Sequence, residues 1–241
     1  MPRVEEWLAE VEPDVVCLQE TKLADDAFPS LALHGLGYES AHHGEGRWNG
    51  VAILSRIGLD DVTAGFDDGG PPDPEARVLS ATCGGVRVTS VYVPNGREVG
   101  HEQYQLKLAW LERLRAQVAA SGDAAKAVCG DYNIAPTDAD VFDPTKFVGA
   151  THVSEPERAA LEALIDDGLV DVFRSRWSEP KLFSWWDYRA GDFHNHRGMR
   201  IDHILASPSL AERCTWAVID RNARKGSLPS DHAPLVADFD L

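Results

Sequence analysis

No stretch of the 241-residue chain approaches the roughly 20 consecutive apolar residues that a membrane-spanning helix needs. The N-terminus, MPRVEEWLAE, lacks the charged-then-apolar pattern of an export signal. Cysteine is sparse: Cys17, Cys83, Cys129 and Cys214 lie far apart, and three of them fall in apolar runs. That spacing argues against a C-x-x-C zinc site and a secretory disulfide framework, and predicts reduced core thiols. A soluble cytoplasmic protein with no membrane partner is the expectation. Repeats, low-complexity tracts and linkers are missing too. The nearest thing to a break, DDGGPPDPE at 67–75, sits between strand-like segments and reads as an exposed loop. One domain over residues 1–241 is therefore expected, long enough to bury a sizeable core.

Positive charge is also short, with 23 Lys and Arg against 39 Asp and Glu and a net charge of −16. Spread evenly, that balance would disfavour a nucleic-acid partner, because phosphate binding rests on basic side chains displacing counterions. It is not spread evenly. From Arg174 to Lys225 ten basic residues meet six acidic ones, a local excess of +4, with His194, His196 and His203 besides. A basic face on an acidic body is one reading and an ordinary solvated surface the other.

Val4, Trp7, Leu8 and Val11 recur at helical spacing and stop before Pro13, which predicts a helix over 2–11. Strands are expected at VVCLQE (15–20), GVAILS (50–55), RVLSATC (77–83), VRVTSVYV (86–93) and AKAVCGD (125–131). Between the last two, Tyr104, Leu108, Leu111, Leu114 and Val118 mark a long helix that Gly122 can cap, so a strand–helix–strand unit lies here. Ser154 and Glu157 form a capping box, with Pro156 in the first turn, for a second helix ending near Gly168. The last third alternates aromatic loops with strands, as in FSWWDYR, MRIDHILAS and HAPLVADFDL. Many strands with few helices point to two sheets packed face to face under outer helices, an α/β sandwich.

Several apolar strands end in residues that burial should exclude. Glu20 closes VVCLQE, Tyr92 lies near the end of VTSVYV, Asp131 and Asn133 close AVCGDYN, Asp202 sits in MRIDHIL, and Asp231 and His232 open SDHAPLV. Asp131 and Asn133, two apart, share one side of their strand. Alone, such a D-x-N reads equally well as turn chemistry. Five such ends converging would make a site. Oxygen donors such as Glu20 and Asp231 suit Mg²⁺ or Mn²⁺, and no cysteine cluster or paired histidine offers a zinc site. Asp131 could take a proton from an attacking water, and Asp202 could orient a charged His232 that donates to a phosphoryl oxygen. Together these residues describe phosphodiester hydrolysis.

In order, LQETK (18–22), NGVAILSR (49–56), YVPNG (92–96), GDYNIAPTDADV (130–141), SWWDYR (184–189), GMRIDHILAS (198–207) and SDHAP (230–234) resemble the motifs of exonuclease III type AP endonucleases, within the endonuclease/exonuclease/phosphatase superfamily. The resemblance implies a DNase I-like, four-layer α/β sandwich, two packed mixed sheets flanked by helices. It implies a monomeric, metal-dependent enzyme that cleaves double-stranded DNA 5′ to abasic sites and trims blocked 3′ ends. By the same carry-over Glu20 binds the metal, with Asp131, Asn133, Asp231 and His232 as further candidate ligands. Asp131 and Asn133 manage the nucleophile, Tyr92 contacts the phosphate, and Asp202 pairs with His232. Trp185 and Trp186 would wall a pocket for a flipped, base-less sugar, while Arg189 and Met199 would wedge into the vacated stack. His42 and His43 show no partner in the pattern and read as surface residues. The family opens with a strand ending in Trp-Asn-Val-Asn, and here Met1 directly precedes the first helix, so the resemblance leads us to expect a reading frame that continues upstream. A catalytically impaired DNA-binding homologue and a phosphatase of the same superfamily are the competing readings.

Overall fold

The computed structural model describes residues 2–122 and 124–241. The chain divides into two compact units, Met1–Tyr92 with Asp123–Gly130, and Val93–Gly122 with Asp131–Leu241.

In the first unit α1 (Pro2–Val11) forms where the apolar spacing places it, with Leu8 buried and Val4 and Trp7 packed beside it. β1 (Val15–Gln19), α2 (Ser30–Gly35), β2 (Glu39–His43) and β3 (Val51–Ser55) follow. The three strands form an antiparallel sheet in the order β1-β3-β2, with Cys17 and Ala41 both opposite Ile53. β3 is the central strand and every residue in it is buried, which is why VAILS is continuously apolar instead of alternating. Leu8, Phe28, Leu33, Tyr38, Ala52 and Leu54 make one core cluster against this sheet.

β4 (Asp60–Ala64), β5 (Val78–Cys83), β6 (Val86–Tyr92) and β7 (Lys126–Asp131) lie side by side in that order. β7 approaches β6 so closely at Gly130 that a Cβ there would run into the Val91 carbonyl. Gly130→Ala should therefore push the strands apart and cost about 1–3 kcal/mol, as overpacking does. Thermal melting of the variant checks this; an unchanged midpoint would mean that β7 re-spaces freely.

The second unit holds α3 (Glu102–Ala120) and α4 (Glu155–Asp166). α3 presents Tyr104, Lys107, Trp110, Leu111 and Leu114 to the interior, a stripe rotated from the expected one and containing a lysine. α4 begins with the capping box read from Ser154 and Glu157. Two antiparallel pairs complete the unit: β8 (Val170–Asp171) on β9 (Asp202–Ala206), then, after α5 (Pro208–Ala211), β10 (Cys214–Ile219) on β11 (Leu235–Phe239). β9 is shorter than MRIDHILAS suggests, because Met199 instead bridges to Val141 and Trp185.

Candidate active site

Glu20 stands just past the end of β1 in left-handed backbone, φ 52°, and Lys22 has the same φ of 52°. Side chains seldom adopt that conformation, which costs about 1–3 kcal/mol per residue unless the surroundings enforce it. Here they do, since the Thr21 amide donates to the Gly50 carbonyl at 3.2 Å and the Lys22 amide to the Asn49 carbonyl at 3.0 Å. The turn presents the Glu20 carboxylate to two donors, the Tyr92 hydroxyl and Lys22 Nζ, each at 2.6 Å. Tyr92 is held in turn by Arg77, whose guanidinium lies 4.6 Å from the ring centre and donates to the Tyr92 carbonyl at 3.1 Å. The first unit thus brings Glu20 and Tyr92 together from the ends of β1 and β6.

In the second unit the D-x-N makes a turn bond and also brings the acid and the amide side chain together. The Asn133 amide donates to Asp131 Oδ1 at 2.8 Å, a turn bond, while Asn133 Nδ2 donates to Asp131 Oδ2 at 3.1 Å and to the Val93 carbonyl at 3.0 Å. Acid and amide are both buried and locked. Asn133 is itself left-handed, φ 53°, and its carbonyl accepts Lys107 Nζ at 2.8 Å and His152 Nδ1 at 2.6 Å. Lys107 is wholly buried and ion-paired with Glu157 at 2.5 Å. Burial pushes the Lys107 ammonium down, against the pull of Glu157. Burial, joined by the Lys107 charge, lowers His152 to about 4, so it is neutral at pH 7. Asn95 Nδ2 completes the set with a bond to Asn133 Oδ1 at 3.2 Å. The sequence motifs do not mark Lys107 or His152, and Asn95 lies within YVPNG (92–96) without a role read from it. Only the buried stripe of α3 holds a signal for Lys107, and lysine is discounted in such stripes.

Asp202, at the start of β9, accepts from His232 Nδ1 at 2.9 Å, and Ser184 Oγ accepts the Asp202 amide. Burial alone would lower the His232 pKa, but Asp202, then Asp131 and Asp231, outweigh it and raise it to about 10. The ring is therefore an imidazolium at neutral pH, with Nδ1–H committed to Asp202 and Nε2–H left to donate. Nδ1 is committed to Asp202, so a metal contact by His232 would have to come through Nε2 of a neutral ring, whereas the protonated ring can only donate there. Asp231 accepts Trp185 Nε1 at 3.1 Å, and Trp185 bridges to His232 in the backbone.

The two tryptophans part company. Trp185 lines a cleft of about 280 Å³ with Phe142, Phe147, Lys146, Arg197 and Met199. Trp186 is fully buried against Phe193 and the Arg224 guanidinium and does not reach that cleft, so the expected two-tryptophan wall has one. Met199 is also buried, in the cleft lining, and does not project as a wedge. Arg189 does project, with 89% of its side chain exposed and Asp187 as its ion-pair partner.

Of the two readings of the basic run, the structure narrows the first, since Arg174, Arg189, Arg197 and Arg200 each meet a carboxylate and Arg224 is buried. One other expectation needs correcting. His42 is not a bare surface residue, since it bonds to Thr21 and Asp25.

Among the described residues no three His, Cys, Asp or Glu side chains form a metal cage. Mg²⁺ does not need one, because it keeps several waters and takes one or two carboxylates; Glu20 in the first unit, and Asp131 and Asp231 in the second, are hard oxygen donors of the kind it takes.

A model of the endonuclease/exonuclease/phosphatase family matches residues 2–232. The exodeoxyribonuclease III of Haemophilus influenzae is 35% identical over 251 aligned residues, which cover 98% of this chain and 94% of the relative. Among solved structures, an AP endonuclease from Archaeoglobus fulgidus is 39% identical, with a TM-score of 0.95 over 99% of this chain and 93% of that one. A 3′ phosphatase from Neisseria, bound to a product DNA hairpin, is 39% identical, with a TM-score of 0.96 over 100% of this chain and 94% of that one. With the mixed sheets and flanking helices of these α/β relatives, this chain belongs to the endonuclease/exonuclease/phosphatase family, as a phosphodiester hydrolase of the branch that holds exodeoxyribonuclease III and the AP endonucleases.

Proposed function

We propose that the protein is a metal-dependent DNA-repair nuclease that cleaves 5′ to abasic sites and trims blocked 3′ ends, with double-stranded DNA as its partner and Mg²⁺ as its metal. The observation that carries the reading is His232 Nδ1 held 2.9 Å from Asp202, with the charges of Asp131 and Asp231 acting alongside Asp202 to favour the protonated ring. A fixed proton donor among carboxylates suits an incoming phosphoryl group, whose negative charge the donor meets as it develops. Asp131, its two oxygens oriented by Asn133, takes the proton of the attacking water. Glu20 and Asp231 are the carboxylates that would hold the metal, and Tyr92 contacts the phosphate. The metal, when bound, neutralises phosphoryl charge and acidifies water. Trp185 gives the cleft an apolar wall suited to a sugar without its base.

The test is a duplex with one abasic analogue, a duplex ending in a 3′ phosphate, and p-nitrophenyl phosphate, each incubated with Mg²⁺. Incision of the first and trimming of the second, with the soluble ester untouched, is the expected result. Hydrolysis of the ester alone would make the protein a general phosphatase, and binding without cleavage a DNA-binding homologue.

Arg189 gives a separate expectation. If its exposed guanidinium meets a DNA phosphate, Arg189→Ala lowers the slope of log affinity against log salt by about 1. An unchanged slope would remove Arg189 from the interface.

A further inference from the structure

The turn that carries Glu20 is braced by three side chains that the hydrolytic scheme leaves unused. Thr21 Oγ lies 2.8 Å from His42 Nε2, and His42 Nδ1 lies 2.8 Å from Asp25 Oδ1, an oxygen that also accepts the Gly44 amide at 2.8 Å. Only 5% of the His42 side chain is exposed, and its ring stacks on Phe28 with centres 4.2 Å apart and planes within 13°. Burial holds the His42 pKa below the ordinary histidine value against the pull of Asp25, and His43 adds to the lowering, so the ring is neutral at pH 7. An Nδ1–H that donates to Asp25 leaves a lone pair on Nε2, and the Thr21 hydroxyl donates to it. Each bond then has one direction, and the chain runs from Thr21 through His42 to Asp25.

Hydroxyl, imidazole and carboxylate in this order also describe an activated nucleophile. The packing speaks against that use, since a Cβ on Gly50 would overlap Thr21 Oγ, and the hydroxyl is pressed on backbone instead of being offered to a substrate. What the chain does control is the turn. Thr21 sits between two left-handed residues, Glu20 and Lys22, so its side chain is the point at which that turn can be locked from inside. Backbone bonds to Asn49 and Gly50 hold the turn from one side, and the hydroxyl bond to His42 holds it through a side chain. Asp25 in turn fixes the ring that receives that hydroxyl.

We infer that Asp25, His42 and Thr21 are positioning residues that hold the Glu20 carboxylate in place for a divalent cation. The inference rests on the reading of Glu20 as a metal ligand, and the test separates the two. Mn²⁺ is titrated into metal-free protein without DNA and followed by its paramagnetic resonance signal, and the melting temperature of each sample is recorded. Thr21→Val keeps the branched shape and removes the hydroxyl, Thr21→Ser restores a hydroxyl, and His42→Asn can keep a bond to Asp25 while losing the one to Thr21. Thr21→Val and His42→Asn should weaken Mn²⁺ binding about 10- to 100-fold, as the loss of a residue that orients a metal ligand does, and Thr21→Ser should restore most of it. A purely structural brace would lower the melting temperature and leave Mn²⁺ affinity unchanged. That result in both Thr21→Val and His42→Asn, with Glu20→Gln losing affinity, overturns the positioning role alone. Unchanged affinity in Glu20→Gln as well overturns the metal reading of Glu20, and the positioning role with it. Should Thr21→Val fail to fold, His42→Asn decides.

Discussion

Asp131→Asn will lower the rate of abasic-site incision about 100- to 10,000-fold, the range a general base supplies, and leave binding of the same duplex nearly unchanged. Asp131 is buried, and both its oxygens accept from Asn133. An amide at position 131 nearly keeps that shape. It can accept the backbone bond through its oxygen, but its NH2 cannot accept from Asn133 Nδ2, so that one side-chain bond is lost together with the capacity to take a proton. The second effect is electrostatic: Asp131 is among the charges that raise the His232 pKa, and the amide removes it. Asp202 is the larger of those charges and remains, so His232 stays protonated at pH 7 and the loss reports on Asp131. Single-turnover incision with saturating Mg²⁺, beside a binding titration without metal, measures the two separately. Incision within about threefold of the parent would remove Asp131 from the base role, since a base contributes far more than that.

Most of this site is legible in the amino-acid sequence, for a physical reason. Strands such as VVCLQ and KAVCGD carry dense apolar signals, so a carboxylate at their ends, Glu20 or Asp131, stands out. The Asp202–His232 pair is legible in the same way, although 30 residues separate the two in sequence. The failures have a different character. β2, ESAHH, has no apolar run, and it is a strand because β3 pairs with it, placing His42 opposite Ala52. Its histidines therefore read as surface, when one of them is packed on Phe28 and bonded at both nitrogens. Lys107 is hidden by its charge in an amphipathic helix, because its burial depends on a glutamate 50 residues away. Trp185 and Trp186 are indistinguishable as letters. Adjacent residues face opposite ways, and only the tertiary fold decides which ring meets the cleft and which the core.

The basic run from Arg174 to Lys225 shows most sharply what residue letters leave open, because part of its charge is turned inward. Arg200 is wholly buried; Nε donates to Asp140 Oδ1 at 2.7 Å and Nη1 to Asp171 Oδ2 at 2.8 Å. His203 Nε2 donates to the Ile134 carbonyl at 2.9 Å, which leaves Nδ1 bare to accept Arg200 Nη1 at 2.9 Å. Arg174 shares Asp140 at 2.6 Å. Arg200→Met should cost about 3–5 kcal/mol at pH 7, because it strands buried carboxylates where the intact pairs had compensated their desolvation. Asp171 bears most of this, since Asp140 keeps Arg174 and the Thr137 hydroxyl. Arg200→Lys should rescue little, since one ammonium cannot make the forked contacts to two carboxylates. The pH dependence has a definite sign. Burial would raise the Asp171 pKa, but the Arg200 charge outweighs it and holds the acid well below the usual carboxylate range. The pair therefore contributes its full stability above the unfolded carboxylate value of about 3.9, and that contribution is lost as pH falls toward the depressed folded value. In Arg200→Met the stranded Asp171 protonates more readily than in the parent, so the gap between the two proteins should be widest at pH 7 and narrow below about pH 4. Urea unfolding of both at pH 7 and pH 4 measures it. A gap below about 1 kcal/mol at pH 7 would mean that water reaches Asp171 once the guanidinium is gone, and that the network is an exposed ion pair in its energetics.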